Sequence, residues 1–80
     1  MKSLRTPDHQ RLLTLLVAAR EKAGLTQQQL ADRLGKPQSF VAKYEVGERR
    51  IDLIEFVAIS HVLQFDPARA VREIAAKYKP

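Results

Sequence analysis

The stretch Gln27–Val46 constrains the fold more than any other part of this chain, because it contains two short helical patterns separated by one glycine. The first pattern ends at Gly35, and glycine adopts the left-handed conformation of a helix C-terminus without the steric cost of a Cβ. Ala31 is a small residue on the inner face of the first helix, so the second helix can cross it closely. The stretch therefore predicts two short helices, 27–34 and 37–46, packed against each other across a tight turn.

The second helix of this pair has two faces of different chemistry. We expect Val41 and Tyr44 to be buried against the first helix. The residues of the opposite, outward row are Gln38, Ser39, Ala42 and Lys43. Amide, hydroxyl, methyl and ammonium groups match the edges that base pairs present in the DNA major groove. The row therefore indicates a surface that can read double-stranded DNA.

Capping signals divide the chain into five helices. Thr26 with Gln29, and Asp52 with Glu55, are spaced as capping boxes, and Pro67 follows an aspartate at the start of the last helix. Together with the apolar spacing, these signals predict helices at 7–23, 27–34, 37–46, 53–63 and 67–78. Nothing in the sequence alternates in the manner of a strand, so the predicted fold class is all-α. Met1–Arg5 and Tyr78–Pro80 are expected to fray.

Apolar residues at helical spacing predict the core. Its predicted members are Leu12, Leu16, Ala19, Ala23, Leu25, Leu30, Ala31, Leu34, Val41, Tyr44, Ile51, Leu53, Phe56, Ile59, Leu63, Val71 and Ile74. Phe40 lies between the two faces of its helix and is predicted to be partly exposed. The stretch 54–76 contains more apolar residues than one core stripe uses, namely Val57, Val62, Phe65 and Ala70. This excess predicts a contact surface for a second copy of the chain.

Composition narrows the class of protein. Eighty residues make one domain, 1–80, and the formal charge of +5 favours a polyanionic partner. The chain has no cysteine, which is compatible with a reducing compartment. The apolar run 12–19 leads straight into charged residues and is too short to span a bilayer. We therefore expect a cytoplasmic protein with no membrane partner.

Patterns of catalytic and metal-binding residues are missing from the sequence. His9 and His61 lie in different predicted helices, and no cysteine is present to complete a zinc site. The glycines are isolated from one another, so they form no phosphate-binding loop. Capping explains Asp52 and Glu55 without invoking a pair of catalytic carboxylates. We expect no enzyme activity, no metal ion and no cofactor.

The segment LTQQQLADRLGKPQSFVAKYEVGER resembles the helix-turn-helix of the phage repressor and Cro-like (XRE-type) regulators. The motifs that carry the resemblance are GLTQ before the first helix, LADRLG at the turn and YE-x-G-x-R after the second helix. The resemblance covers roughly residues 12–65. It implies a compact five-helix, repressor-like DNA-binding domain with a central helix-turn-helix at 27–46, and it extends more loosely to helix 67–78, a candidate dimer element.

The resemblance also implies roles for particular residues. Base readout is assigned to Gln38, Ser39, Ala42 and Lys43. Contacts with the DNA backbone are assigned to Thr26, Gln27, Lys36, Arg49 and Arg50. A structural ion pair is assigned to Arg20 and Glu45. The chain departs from the family at Pro37, where many members have a serine or threonine that caps the recognition helix.

The expected function is sequence-specific binding of double-stranded DNA by a small transcriptional regulator that acts as a homodimer. The alternative is an antitoxin-like module whose main partner is another protein and whose DNA binding is secondary. Acidic residues in the outward row of the second helix would favour the alternative. That row contains none.

Overall fold

The computed structural model describes residues 6–80, which form five α-helices and, over that range, no strand. The helices are α1 Pro7–Lys22, α2 Gln27–Leu34, α3 Gln38–Glu45, α4 Leu53–Leu63 and α5 Pro67–Lys77. Each predicted helix is present, with bounds that differ by at most one residue at either end. The all-α prediction is confirmed. Met1–Arg5, predicted to fray, lie outside the described residues.

Side chains cap α2 and α4 as the sequence predicts. Thr26 Oγ1 accepts a hydrogen bond from the Gln29 N–H at 3.1 Å, and Gln29 Oε1 accepts from the Thr26 N–H at 2.9 Å. Asp52 and Glu55 form the same reciprocal pair at the start of α4, at 2.7 and 2.9 Å. Gly35 ends α2 in the left-handed conformation, with φ of 68°. These caps satisfy N–H and C=O groups that a helix terminus leaves unpaired.

The core lies where α2 and α3 pack against α1 and α4. Its fully buried members with the largest side chains are Leu16, Leu30, Val41, Tyr44 and Ile59. All five belong to the predicted core, because helical spacing placed each of them on the inward side of its helix. Ala31 is also fully buried, which allows the close crossing of α2 and α3.

Several core predictions are wrong. Phe40 was expected to be partly exposed and is 7% exposed, and Leu13, which the prediction omitted, is buried. Ala23 caps the C-terminus of α1 and is exposed. Leu53 and Val71 are 70% and 50% exposed because they border an open apolar groove of about 400 Å³ instead of facing a neighbouring helix.

The excess of apolar residues after Ile54 is smaller than predicted. Ala70 is buried in the core, and Val62 and Phe65 are partly buried against it. Val57 is 45% exposed, and Ile54 itself is 75% exposed. The exposed apolar residues of this part of the chain are therefore Ile54 and Val57 of α4 and Val71 of α5.

Candidate nucleic-acid interface

The outward row of α3 begins one residue after Pro37, which occupies the N-cap position in an extended conformation and makes no side-chain hydrogen bond to the helix. Ser39 and Lys43 are exposed, and Gln38 and Ala42 are partly buried. The opposite side of α3 is held in the core by Phe40, Val41 and Tyr44. Burial of this side fixes the rotation of α3, so the row is presented on one surface.

Gln38 is held by a hydrogen bond that it donates to the neighbouring helix. Its Nε2 donates to Oε1 of Gln27, the first residue of α2, at 2.8 Å. Gln27 Nε2 in turn donates to Glu45 Oε1 at 2.8 Å. The first residue of each helix in the pair is thereby linked to the last residue of α3. Sequence reasoning assigned roles to both glutamines but missed their contact, since their spacing of 11 residues carries no signal for it.

Glu45 joins this chain of hydrogen bonds to α1. Arg20 Nε donates to Glu45 Oε2 at 2.8 Å, and Arg20 Nη2 donates to Glu45 Oε1 at 3.2 Å. Arg20 Nη1 also donates to the Leu25 carbonyl at 2.8 Å. The two charged side chains are only 14% and 5% exposed, and the hydrogen bond with Glu45 raises the pKa of Arg20. The ion pair that the family resemblance implied is present in the structure.

Basic residues surround Phe40 at the edge of α3. Arg49 Cζ lies 4.7 Å from the Phe40 ring centroid, and Lys36 Nζ lies 5.4 Å from it. Nη1 and Nη2 of Arg49 donate to the two carboxylate oxygens of Glu55, both at 3.0 Å. This bidentate contact raises the pKa of Arg49 and lowers that of Glu55. Arg50, the next residue, is exposed.

The N-terminus of α2 lies next to the start of α3, because Gln27 and Gln38 are hydrogen-bonded to each other. Thr26 is exposed, and its hydroxyl oxygen is an acceptor in the capping box while its O–H can still donate. A helix N-terminus carries a partial positive charge that favours phosphate. The contact between Gln27 and Gln38 therefore joins the N-terminus of α2 to the outward row of α3.

Residues 6–80 contain no group of three or more metal-ligating side chains that could hold an ion. No helix among them is long and apolar enough to cross a membrane.

Comparison with known proteins agrees with this geometry. A family model described as helix-turn-helix matches residues 16–69. A solved structure, the XRE-family like protein from Pseudomonas syringae pv. tomato str. DC3000, is 44% identical to the chain. The match covers 98% of this chain and 95% of that one, with a TM-score of 0.87. No curated protein matches the sequence significantly. The chain belongs to the XRE family of helix-turn-helix proteins, a family of DNA-binding regulators.

Proposed function

We propose that the protein binds double-stranded DNA in a sequence-specific manner as a small transcriptional regulator, with the recognition helix 37–46 in the major groove. The observation that carries this proposal is the outward row of α3, whose first member, Gln38, is held in place by Gln27. A reading side chain that is already ordered loses less conformational entropy when it meets a base. Such a regulator acts on DNA in the cytoplasm, as a single domain.

Base readout is assigned to four residues of α3. One N–H of the Gln38 amide is used by Gln27, which leaves a second N–H and the carbonyl oxygen. This donor and acceptor pair matches the N7 and N6 groups of adenine. Ser39 and Lys43 are exposed donors, and the Ala42 methyl suits contact with a thymine methyl.

Backbone contacts are assigned to residues at the two ends of this surface. Thr26 and Gln27 bring a hydroxyl and a second amide N–H to the α2 N-terminus, where the helix dipole attracts phosphate. Lys36 and Arg50 add positive charge on either side of α3. The fifth residue of the predicted set, Arg49, has its guanidinium engaged with Glu55 and Phe40.

The proposed DNA-bound form is a homodimer. One small domain contacts too few base pairs for high specificity, and helix-turn-helix proteins commonly bind two half-sites as symmetric dimers. The exposed apolar residues at the start of α4, Leu53, Ile54 and Val57, together with Val71 of α5, are the candidate surface for the contact between copies.

Selection of bound sites from a random duplex library tests the proposal directly. The wild-type protein should enrich one short motif, and a gel shift should show tighter binding to that motif than to a scrambled duplex. Gln38→Ala should relax the preference at a defined base pair. Enrichment of no motif, with equal binding to all duplexes, would contradict sequence-specific recognition.

A further inference from the structure

The guanidinium of Arg49 contacts two elements at once. Its two terminal nitrogens donate to both oxygens of the Glu55 carboxylate, at 3.0 Å each, and Nη1 also donates to the Arg50 carbonyl at 2.7 Å. Its Cζ lies over the ring of Phe40, 4.7 Å from the ring centroid. A planar, delocalised cation is suited to combining a bidentate ion pair with a cation–π contact, whereas a lysine ammonium cannot reproduce the bidentate fork.

Both partners of Arg49 are themselves fixed. Phe40 is 7% exposed and makes an edge-to-face contact with Tyr44, with centroids 5.4 Å apart. The Glu55 side chain is 15% exposed, and its Oε1 also accepts the Asp52 N–H in the capping box of α4. Arg49 therefore joins the buried side of the recognition helix to the first turn of α4.

This arrangement disfavours a phosphate contact through the Nη1–Nη2 edge of Arg49. A phosphate bound at that edge would have to displace Glu55, whose two carboxylate oxygens each lie 3.0 Å from a terminal nitrogen. Displacement would also leave a mostly covered carboxylate without its cation, which is unfavourable. The backbone of Arg49 is held as well, since its N–H donates to the Lys43 carbonyl at 3.3 Å.

We propose that Arg49 is a positioning residue that clamps α3 against the start of α4 and so sets the pose of the recognition helix on DNA. This inference rests on the proposed function and revises one of its predicted backbone contacts. The clamp acts through Phe40 and Glu55 without touching the DNA. The orientation of the outward row then depends on the Arg49–Glu55 pair even though neither side chain belongs to that row.

The two roles predict opposite results for Glu55→Gln. Glutamine keeps an acceptor for the Asp52 N–H but removes the charge that holds Arg49. If Arg49 acts as a clamp, this variant removes its ion-pair partner. The preference for the selected duplex over a scrambled duplex should then fall roughly tenfold, as when one good base contact is lost. Were Arg49 a phosphate ligand, removal of the competing carboxylate would tighten binding to both duplexes. Arg49→Lys separates the roles again, because lysine retains a phosphate contact but not the fork.

The experiment is fluorescence anisotropy with a duplex that the wild-type protein has selected from a random library and a scrambled duplex of equal length. We expect Arg49→Lys and Glu55→Gln each to lower the preference about tenfold, and the double variant to lower it no further, because the two residues act as one unit. Circular dichroism checks that each variant keeps its helices. If the Glu55→Gln variant loses its helices, the change in duplex preference measured for Arg49→Lys tests the clamp instead.

The dependence of affinity on salt gives a second readout that a merely structural role would not change. Arg50→Gln is the matched control at the adjacent residue and should lower the salt slope by about 0.9. Arg49→Gln should leave that slope at its wild-type value. A lower slope for Arg49→Gln, or wild-type preference in both Arg49→Lys and Glu55→Gln, would overturn the clamp alone. A wild-type protein that selects no duplex would overturn the proposed function and, with it, this inference.

Discussion

Arg20 and Glu45 are separated by 25 residues in the chain, and their side chains meet through two hydrogen bonds between α1 and the last residue of α3. The carboxylate accepts a third hydrogen bond from Gln27. A glutamate at the C-terminus of a helix is disfavoured by the helix dipole, so it needs a compensating cation. Here Arg20 is that cation, and it ties the helix-turn-helix to α1.

Glu45→Ala should lower the free energy of unfolding by roughly 3–5 kcal/mol, because it leaves the mostly buried Arg20 without its anion. The double replacement Arg20→Met with Glu45→Leu should recover much of that loss, since it removes both charges. Urea denaturation followed by circular dichroism measures both values. A loss below about 0.5 kcal/mol for Glu45→Ala would be typical of a surface pair and would contradict this account.

Gln27 and Gln38 should act as a coupled pair in DNA recognition. Replacing either with alanine is expected to cost about 1–3 kcal/mol of discrimination between the selected and scrambled duplexes, and the two losses should not add. Gln28→Ala is the matched control, because Gln28 donates to Asp32 within α2 and does not touch Gln38. Anisotropy titrations of the two single variants and the double variant give the double-mutant cycle for Gln27 and Gln38. Additive losses would mean that the hydrogen bond between the two glutamines plays no part in recognition.

Tyr44→Phe should leave the protein as stable as the wild type or more stable by about 1 kcal/mol. Tyr44 is fully buried, and its hydroxyl has no hydrogen-bond partner among residues 6–80. A buried hydroxyl without a partner costs free energy that phenylalanine avoids. A urea melt tests this, with Tyr78→Phe on the exposed tyrosine as the control. A loss above 1 kcal/mol would show that the hydroxyl makes a stabilising contact.

The same hydroxyl predicts how stability depends on pH. Burial raises the pKa of Tyr44 above its ordinary value of 10.0, so the folded state keeps this proton after the unfolded state has lost it. The free energy of unfolding is therefore unaffected by this group below about pH 10 and decreases as the pH rises toward the folded-state pKa. Melts of the wild type and Tyr44→Phe between pH 8 and about 11 should therefore diverge, with the steeper decline in the wild type. Parallel curves would contradict the assignment.

The proposed homodimer predicts the form of the binding site. The selected motif should be an inverted repeat with half-site centres about 10–10.5 base pairs apart, or a multiple of that spacing, because both recognition helices must face the same side of the duplex. Ile54→Glu should weaken binding to the full site and leave binding to a half-site unchanged, since Ile54 is 75% exposed and contributes little to the core. Sedimentation with a labelled duplex counts the copies bound. One protein per high-affinity site would contradict the dimer.

Local signals in the sequence were sufficient to predict the helices. Capping boxes, isolated glycines and apolar spacing act within a few residues, so Thr26, Gly35 and Asp52 mark helix ends that the structure confirms. The α4 sequence LIEFVAISHVL is apolar on nearly every side, and periodicity alone could not separate the buried Phe56 and Ile59 from the exposed Leu53. That choice depends on where the neighbouring helices lie.

The candidate site was predictable only in part, for a similar reason. The residues of the outward row follow from helical spacing, but their partners come from distant parts of the chain. Arg49 was predicted to contact the DNA backbone, whereas its contacts with Phe40 and Glu55 depend on the path of the chain between α3 and α4. Side-chain chemistry indicated that the surface is polar and basic. Which residue contacts which partner could be known only from the three-dimensional structure.

The division of α3 into a buried and an outward side has a consequence for evolution. Folding depends on Phe40, Val41 and Tyr44, while Ser39 and Lys43 are exposed and contribute little to the core. Under the proposed function, mutations at these two positions would therefore change the target sequence while the fold is preserved. Gln38 is more constrained, since a change there also affects its hydrogen bond with α2. Within one short helix, the chain thus separates positions where specificity can diverge between paralogues from positions that must be inherited unchanged.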